Sequence, residues 1–92
     1  MAIELAGHGI TVNAICPGTM ETEMMRVGFG EAAERVGGER DRLIHAHAES
    51  IPLGRMGTAA DMGAIAAWVA SDDASFTTGA ALNLTGGEQV FF

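Results

Sequence analysis

Residues 17 to 22 read Pro-Gly-Thr-Met-Glu-Thr and directly follow an apolar run over residues 10 to 16. If that run is a strand, the hexapeptide is the loop at its C-terminal end. Open α/β sheets bind ligands at such loops, because backbone donors and acceptors converge there without strand partners. Gly18 relaxes the backbone there and leaves room for a ligand to approach the chain. Taken alone, Pro-Gly-Thr is also an ordinary turn. The residue types leave both readings open.

Other residues with chemical potential are fewer. Cys16 is the only cysteine, so no intramolecular disulfide can form. At the end of an apolar run, with no basic neighbour to favour the thiolate, it is expected to be a buried small hydrophobe. His45 and His47 are two residues apart and would point in different directions on a helix, and no cysteine cluster completes a ligand set, so no metal site is expected. Arg55, with its planar fork, could anchor a carboxylate or phosphate, or serve a structural or interface role. Glu21 and Glu23 are the carboxylates nearest the loop and read as solvated charge. Asn13 is polar in a run otherwise suited to burial, so its carboxamide should bond neighbouring backbone.

The elements that must position these residues follow from pattern. Met1 to Ala6 has helical composition and should stop at Gly7. Residues 10 to 16 are β-branched or small on both faces, which suits a parallel strand covered on both sides and ended by Pro17-Gly18. Residues 21 to 50 carry most of the charge and predict two short helices divided by Gly37-Gly38, with Ala32, Ala33 and Val36 on one apolar stripe and Leu43, Ile44 and His47 on another. Glu31 and Arg35 are placed for an i,i+4 pair. Thr58 to Ala70 predicts the best-defined helix: Thr58 and Asp61 form a capping box, and Met62, Ile65, Ala66 and Val69 recur at i, i+3, i+4, i+7. Trp68 falls off that stripe, to face either a second surface or the core. Ser71-Asp72-Asp73 breaks the helix, Gly79 permits a turn, and Ala80 to Leu84 predicts a strand. Strand, crossover helix and strand make a right-handed βαβ unit.

Composition narrows the partners. The chain has 92 residues, 48% of them hydrophobic, and a mean hydropathy of +0.21, which excludes a solvated disordered chain. Its net charge of −7 repels phosphate backbones and anionic membrane surfaces, arguing against nucleic acid and membrane as partners. No apolar run approaches the ~20 residues needed to span a bilayer, and Met-Ala-Ile-Glu-Leu-Ala lacks the basic start of a signal peptide. A cytoplasmic location is the expectation.

The segments Gly9-Ile-Thr-Val-Asn-Ala-Ile-Cys-Pro-Gly18 and Thr19-Met20-Glu21-Thr22 resemble the sixth strand and nicotinamide loop of a short-chain dehydrogenase/reductase. The resemblance continues, in order, through Pro52-Leu53-Gly54-Arg55-Met56-Gly57, Ala70 to Gly79, and Leu82-Asn83-Leu84-Thr85-Gly86-Gly87. It implies a Rossmann-type α/β fold with a doubly wound parallel sheet, of which residues 1–92 would be the C-terminal part, with residues 20–57 as a substrate lid. It implies NAD or NADP as cofactor, an alcohol or ketone as substrate, and assembly as a homo-oligomer. By the same resemblance, Pro17 and Gly18 pack beside the nicotinamide, backbone groups at Met20 hold its carboxamide, and the Thr22 hydroxyl donates to the carboxamide or the pyrophosphate. The family carries Arg widely at the position of Arg55, which favours the structural role. Thr85 departs from the more usual Val-Asp-Gly-Gly ending, and residues 83–92 resemble the tails of some sugar-alcohol dehydrogenases, which points to polyols.

The family's Gly-rich turn, its Ser and its Tyr-x-x-x-Lys pair have no counterpart here: the chain has no tyrosine, and Gly28-Phe29-Gly30 neither follows a strand nor opens a helix. None of its residues is therefore expected to be catalytic, and the missing N-terminal part of the domain becomes an expected partner. The alternative is a noncatalytic fragment that supplies only an interaction or complementation surface. Proton transfer to a carbonyl oxygen needs a positioned acid, and hydride transfer needs a bound dinucleotide. The 92-residue chain by itself is thus expected to leave NADH and NADPH unoxidised when incubated with ketones and polyols. Absorbance at the reduced nicotinamide band checks this, and turnover there would overturn it.

Overall fold

The structure, a computed structural model, describes residues 1–88. In chain order these form helix α1 (Ala2–Ala6), strand β1 (Ala14–Pro17), helices α2 (Glu23–Val36), α3 (Arg40–Ser50) and α4 (Ala59–Val69), a 3-10 turn (Asp72–Ala74), and strand β2 (Ala81–Leu84). The two strands pair in parallel, from Ala14 opposite Ala81 to Pro17 opposite Leu84. All three longer helices lie in the crossover between them. The α/β class and the parallel pairing agree with the sequence pattern.

The first strand is shorter than its apolar run. A regular ladder covers only residues 14–17, because the partner chain reaches β1 through a turn at Gly79, where φ is +71°, and becomes extended only at Ala81. Upstream, side chains take over the bonding. The Val12 N–H donates to Thr78 Oγ1 at 3.1 Å, and the Asn13 carboxamide donates to the Thr77 carbonyl and accepts from the Ala80 N–H, each at 3.0 Å. Asn13 is thus the backbone-bonding residue its type suggested. The expected cover on both faces is absent among the described residues: only Ile15 of β1 is half-buried, and Cys16 is exposed rather than buried.

The end of α1 also differs. Gly7 keeps right-handed helical dihedrals, and the left-handed residue is Gly9, at φ +73°. The Gly9 N–H bonds the Ala6 carbonyl and the Ile10 N–H bonds the Leu5 carbonyl, which is the double closure that consumes the last free carbonyls of a helix. Either glycine offered the same freedom in the sequence, and the one leading into the extended segment uses it. The same closure ends α2, where Gly37 is left-handed at φ +72° and the Gly38 N–H bonds the Ala33 carbonyl.

α2 and α3 pack as a hairpin with Ala33 buried between them. The Glu31–Arg35 pair does not form, and Arg26 of α2 instead meets Asp41 of α3 at 3.9 Å, on the solvent side. The hairpin leaves and rejoins the body at one place: the Glu21 N–H donates to the Gly57 carbonyl at 2.7 Å and the Gly57 N–H to the Thr19 carbonyl at 3.0 Å, a parallel bridge between Met20 and Gly57. A Cβ on Gly57 would lie 2.5 Å from the Met20 sulfur, so any larger residue there would make the Met20 side chain move aside.

α4 begins as its sequence predicts. The Thr58 hydroxyl accepts from the Asp61 N–H and the Asp61 carboxylate accepts from the Thr58 N–H, the complete capping box. Arg55 completes the motif, closing on the two Asp61 oxygens at 2.6 and 3.1 Å while also donating to the Met56 carbonyl. Ala66 and Val69 border an open depression shared with Ile15 of β1, so this edge of the helix faces the strand, while Trp68 lies outside it and is 41% exposed. Among the described residues no helix is long and apolar enough to cross a membrane.

Little of this is buried. Ala33, Ile51, Met56 and Ala74 form the fully covered core, and the radius of gyration is 17.0 Å, against roughly 12 Å for a compact chain of this length. Ile3 and Phe76 are essentially fully exposed. With so much apolar surface and an unpaired strand edge, the chain alone is expected to self-associate and melt without a sharp transition. Sedimentation of a strictly monomeric species with a cooperative melt would contradict this. The sequence also offers Phe91-Phe92 as an apolar tail to pack against another subunit, and that pair lies outside the described residues.

The capping box carries its own test. Thr58→Ala should cost about 1 kcal/mol of stability in chemical denaturation. The Arg55 guanidinium, followed by the Thr58 donors, holds the Asp61 carboxyl well below the usual carboxylate range. That stabilisation is fully present above the unfolded pKa of ~3.9 and is lost as pH falls through the depressed folded value. Asp61→Asn should therefore flatten the acid limb of the stability profile relative to the parent, and an unchanged limb would contradict the assignment.

Candidate functional site

The C-terminal ends of β1 and β2 lie side by side because the strands are parallel, so the loop 17–22 and the turn 85–88 are neighbours. The ladder runs one residue past Pro17, with the Gly18 N–H donating to the Leu84 carbonyl at 2.9 Å. The chain then swings out to the Gly57 bridge. In a parallel pairing the bonds flanking a bridged residue belong to its neighbours, so the Met20 N–H and C=O point away from Gly57. Among the described residues neither has a hydrogen-bond partner. One unbonded donor beside one acceptor is an arrangement that matches a carboxamide.

Thr22 is the N-cap of α2, its Oγ1 accepting from the Met25 N–H at 3.1 Å. The sequence reading did not anticipate this structural duty. It uses a lone pair and leaves the O–H free to donate. Gly18 likewise has a reason within the chain itself: a Cβ there would lie 2.8 Å from Glu88 Oε1 and 3.1 Å from the Thr85 Cα. Pro17 closes β1 and is exposed beside them. The structure thus brings Pro17, Gly18, Met20 and Thr22 onto one loop.

The remaining candidates lie elsewhere. Arg55 is committed to Asp61, so the carboxylate it anchors is the chain's own. Glu21 and Glu23 are exposed. His45 pairs with Glu49 at 3.0 Å on the outer face of α3, whereas His47 turns inward.

His47 joins a cluster that sequence reasoning missed. The Thr19 N–H donates to Glu88 Oε1 at 2.8 Å and the Thr19 hydroxyl to Glu88 Oε2 at 2.7 Å. His47 Nε2 lies 2.7 Å from Glu88 Oε2 and 3.0 Å from Thr19 Oγ1. The backbone and hydroxyl donors of Thr19 hold the Glu88 carboxyl below its ordinary range, with burial opposing them and His47 assisting. An ionised carboxylate only accepts, so His47 carries its proton on Nε2. The Phe29 ring of α2 meets the imidazole edge-on, with centroids 5.5 Å apart. The available signal was positional: a glutamate four residues after one strand lies at the same sheet end as a threonine two residues after its parallel neighbour.

Comparison with known proteins finds relatives along nearly the whole of this chain. A family model described as enoyl-(acyl carrier protein) reductase matches residues 1–89. The chain is 40% identical to the short-chain reductase protein NovJ of Streptomyces niveus over 95% of its own length and 32% of that protein. It is 40% identical to 3beta-hydroxysteroid dehydrogenase 1 of Eggerthella lenta over 99% of its length and 31% of that protein. The crystal structure of sorbitol-6-phosphate 2-dehydrogenase SrlD from Erwinia amylovora superposes with a TM-score of 0.85 at 30% identity, over 98% of this chain and 36% of that one. The chain therefore spans about a third of the length of the relatives it matches.

Proposed function

The chain belongs to the short-chain dehydrogenase/reductase family of oxidoreductases, and we propose that it supplies the nicotinamide loop, the substrate lid and the last strand of an NAD(P)-dependent enzyme interconverting an alcohol and a ketone. The observation that carries this reading is the free N–H and C=O pair of Met20 beside the Gly57 bridge, at the C-terminal edge of a parallel sheet. The donor set fits the cofactor. Met20 offers the carboxamide its donor and acceptor, Thr22 offers an O–H, and Pro17 and Gly18 give a flat approach without a bulky side chain. When bound, the nicotinamide supplies or accepts the hydride.

The chain's own residues then orient and enclose. Residues 20–57 act as the lid, hinged on the Met20–Gly57 bridge, and Met25, Gly28, Phe29 and Ala32 line an open apolar depression on α2. That lining supports an alcohol or ketone with an apolar body. A polyol is the second reading, supported by the ending of residues 83–92 and by the likeness to the sorbitol-6-phosphate dehydrogenase structure. Acid–base groups would come from a segment carrying the family's Ser and Tyr-x-x-x-Lys, since this sequence has no tyrosine. The exposed apolar surface supports assembly with that segment and into a homo-oligomer in the cytoplasm. Mixing the chain with such a segment should restore NAD(P)H oxidation; assembly without oxidation would favour a purely interacting role.

Because Thr22 both caps and donates, substitutions can separate the two. In the assembled oxidoreductase Thr22→Asp keeps a capping acceptor but loses the donor, and Thr22→Val loses both. Each should weaken NAD(P)H binding by about fivefold, the equivalent of one hydrogen bond of ~1 kcal/mol, while Thr22→Ser should bind as the parent does. Dissociation constants equal across the series would remove Thr22 from the cofactor site.

A further inference from the structure

We propose that Glu88 is a positioning residue, a clamp that fixes the nicotinamide loop to lid helix α3 through Thr19 and His47, so that loop and lid are set as one unit. The proposal rests on the cofactor reading of the loop. Its basis is the convergence of three elements on one carboxylate: Thr19 from the loop after β1, His47 from α3, and Glu88 itself from the turn after β2. Thr19 stands between Gly18 and Met20, so whatever fixes its backbone fixes the direction of the Met20 N–H and C=O.

The geometry is that of a chelate. Both Thr19 donors, one backbone and one side chain, end on the two oxygens of the same carboxylate, at 2.8 and 2.7 Å. This restrains the backbone dihedrals of Thr19 and its χ1 together, which a single bond would not do. His47 adds a third donor at 2.7 Å. Bonds to an ionised acceptor are about twice as strong as neutral ones, and the Glu88 side chain is only 18% exposed against 34% for His47.

The surroundings are built to admit this carboxylate. Gly18 leaves the room that a Cβ would take from Oε1. Gly86 and Gly87, at φ +61° and +91°, wrap the turn tightly over Ile51 and Pro52, where a Cβ on either would come within 3.0 Å of a side chain. The Leu53 N–H bonds the Gly86 carbonyl, fixing the turn to the segment that returns from α3. Phe29 against His47 extends the clamp to α2, and so to the whole lid hairpin. The loop's other tethers are the Gly18–Leu84 bond and the Gly57 bridge, on either side of Thr19. Without Glu88 the Thr19 N–H loses its partner and the Thr19 hydroxyl keeps only His47, which releases the Thr19 peptide between those two tethers.

The test separates the nicotinamide half of the cofactor from the rest. In the whole oxidoreductase, NAD(P)H binding is followed by fluorescence and ADP-ribose binding by calorimetry, for the parent, Glu88→Ala, Glu88→Gln and His47→Ala. Glu88→Ala should weaken NAD(P)H about tenfold, the scale of one charge-assisted bond, while ADP-ribose, which lacks the nicotinamide, stays within about twofold. Glu88→Gln, which keeps an acceptor for the Thr19 N–H, should recover most of the loss and covers the case in which the alanine variant does not fold. Unchanged NAD(P)H affinity in Glu88→Ala overturns the clamp, and so does a parallel loss of ADP-ribose, the signature of a merely structural defect. Amide hydrogen exchange gives an arm independent of cofactor: Thr19 and residues 40–50 should exchange faster in Glu88→Ala and in His47→Ala, and equal protection overturns the proposal. A parent that binds no NAD(P)H would instead sink the cofactor reading, and the exchange data would still decide whether the clamp exists.

Discussion

The register of β1 against β2 is the constraint on which the rest depends. Four residue pairs are too few to resist slippage by backbone bonding alone, and a slip by one residue would turn every side chain to the opposite face. Side chains pin the register at both ends. Upstream, Asn13 is bonded to Thr77 and Ala80 through both ends of its carboxamide. Downstream, Gly18 continues the ladder to Leu84, and Thr19 closes on Glu88. Moving β1 by one position would break both sets at once, so the ladder can be short and still unique.

Fixing that register fixes where the crossover starts and ends. The chain leaves β1 at Pro17 and meets Gly57 within three residues, so the α2–α3 hairpin is held at its base by that bridge and on its inner side by His47 against Glu88. The bridge turns the Met20 peptide groups outward. Immediately beyond it, Arg55, Thr58 and Asp61 lock the start of α4. The hairpin is thus anchored between two defined points, a strand end and a capped helix, and the loop 17–22 lies at the first of them.

Much of this was legible in the sequence, for local reasons. The capping box of α4, the glycine break between α2 and α3, the stop at Pro17 and the bonding role of Asn13 each follow from a residue and its near neighbours. The missed features are those in which distant residues decide. Gly7 and Gly9 are equally able to end a helix, and the path into β1 selects the second. Cys16 sits in an apolar run, but its exposure depends on what covers the sheet. Thr22 shows the limit of reading one role per residue, since a single hydroxyl caps α2 and still has a proton to donate. Glu88, His47 and Thr19 lie 28 to 69 residues apart in pairs, and only the parallel alignment of the strand ends brings them together.

The balance of forces explains why polar contacts carry so much of the specification. Among the described residues only four are fully covered, and the apolar surfaces of α1, β1 and the segment around Phe76 remain open. Apolar burial is non-directional and cannot by itself choose among nearby arrangements of a loop. Hydrogen bonds contribute about 1 kcal/mol each, net, but they are directional and costly to leave unmade once partly desolvated. In this segment the two jobs are divided: covering the open faces would supply the bulk of the stability, while Asn13, the Thr58–Asp61–Arg55 set and the Thr19–Glu88–His47 set decide the geometry. All three sets lie along the route from the sheet to the α2–α3 hairpin, so directional contacts are concentrated around the one short loop that leaves β1.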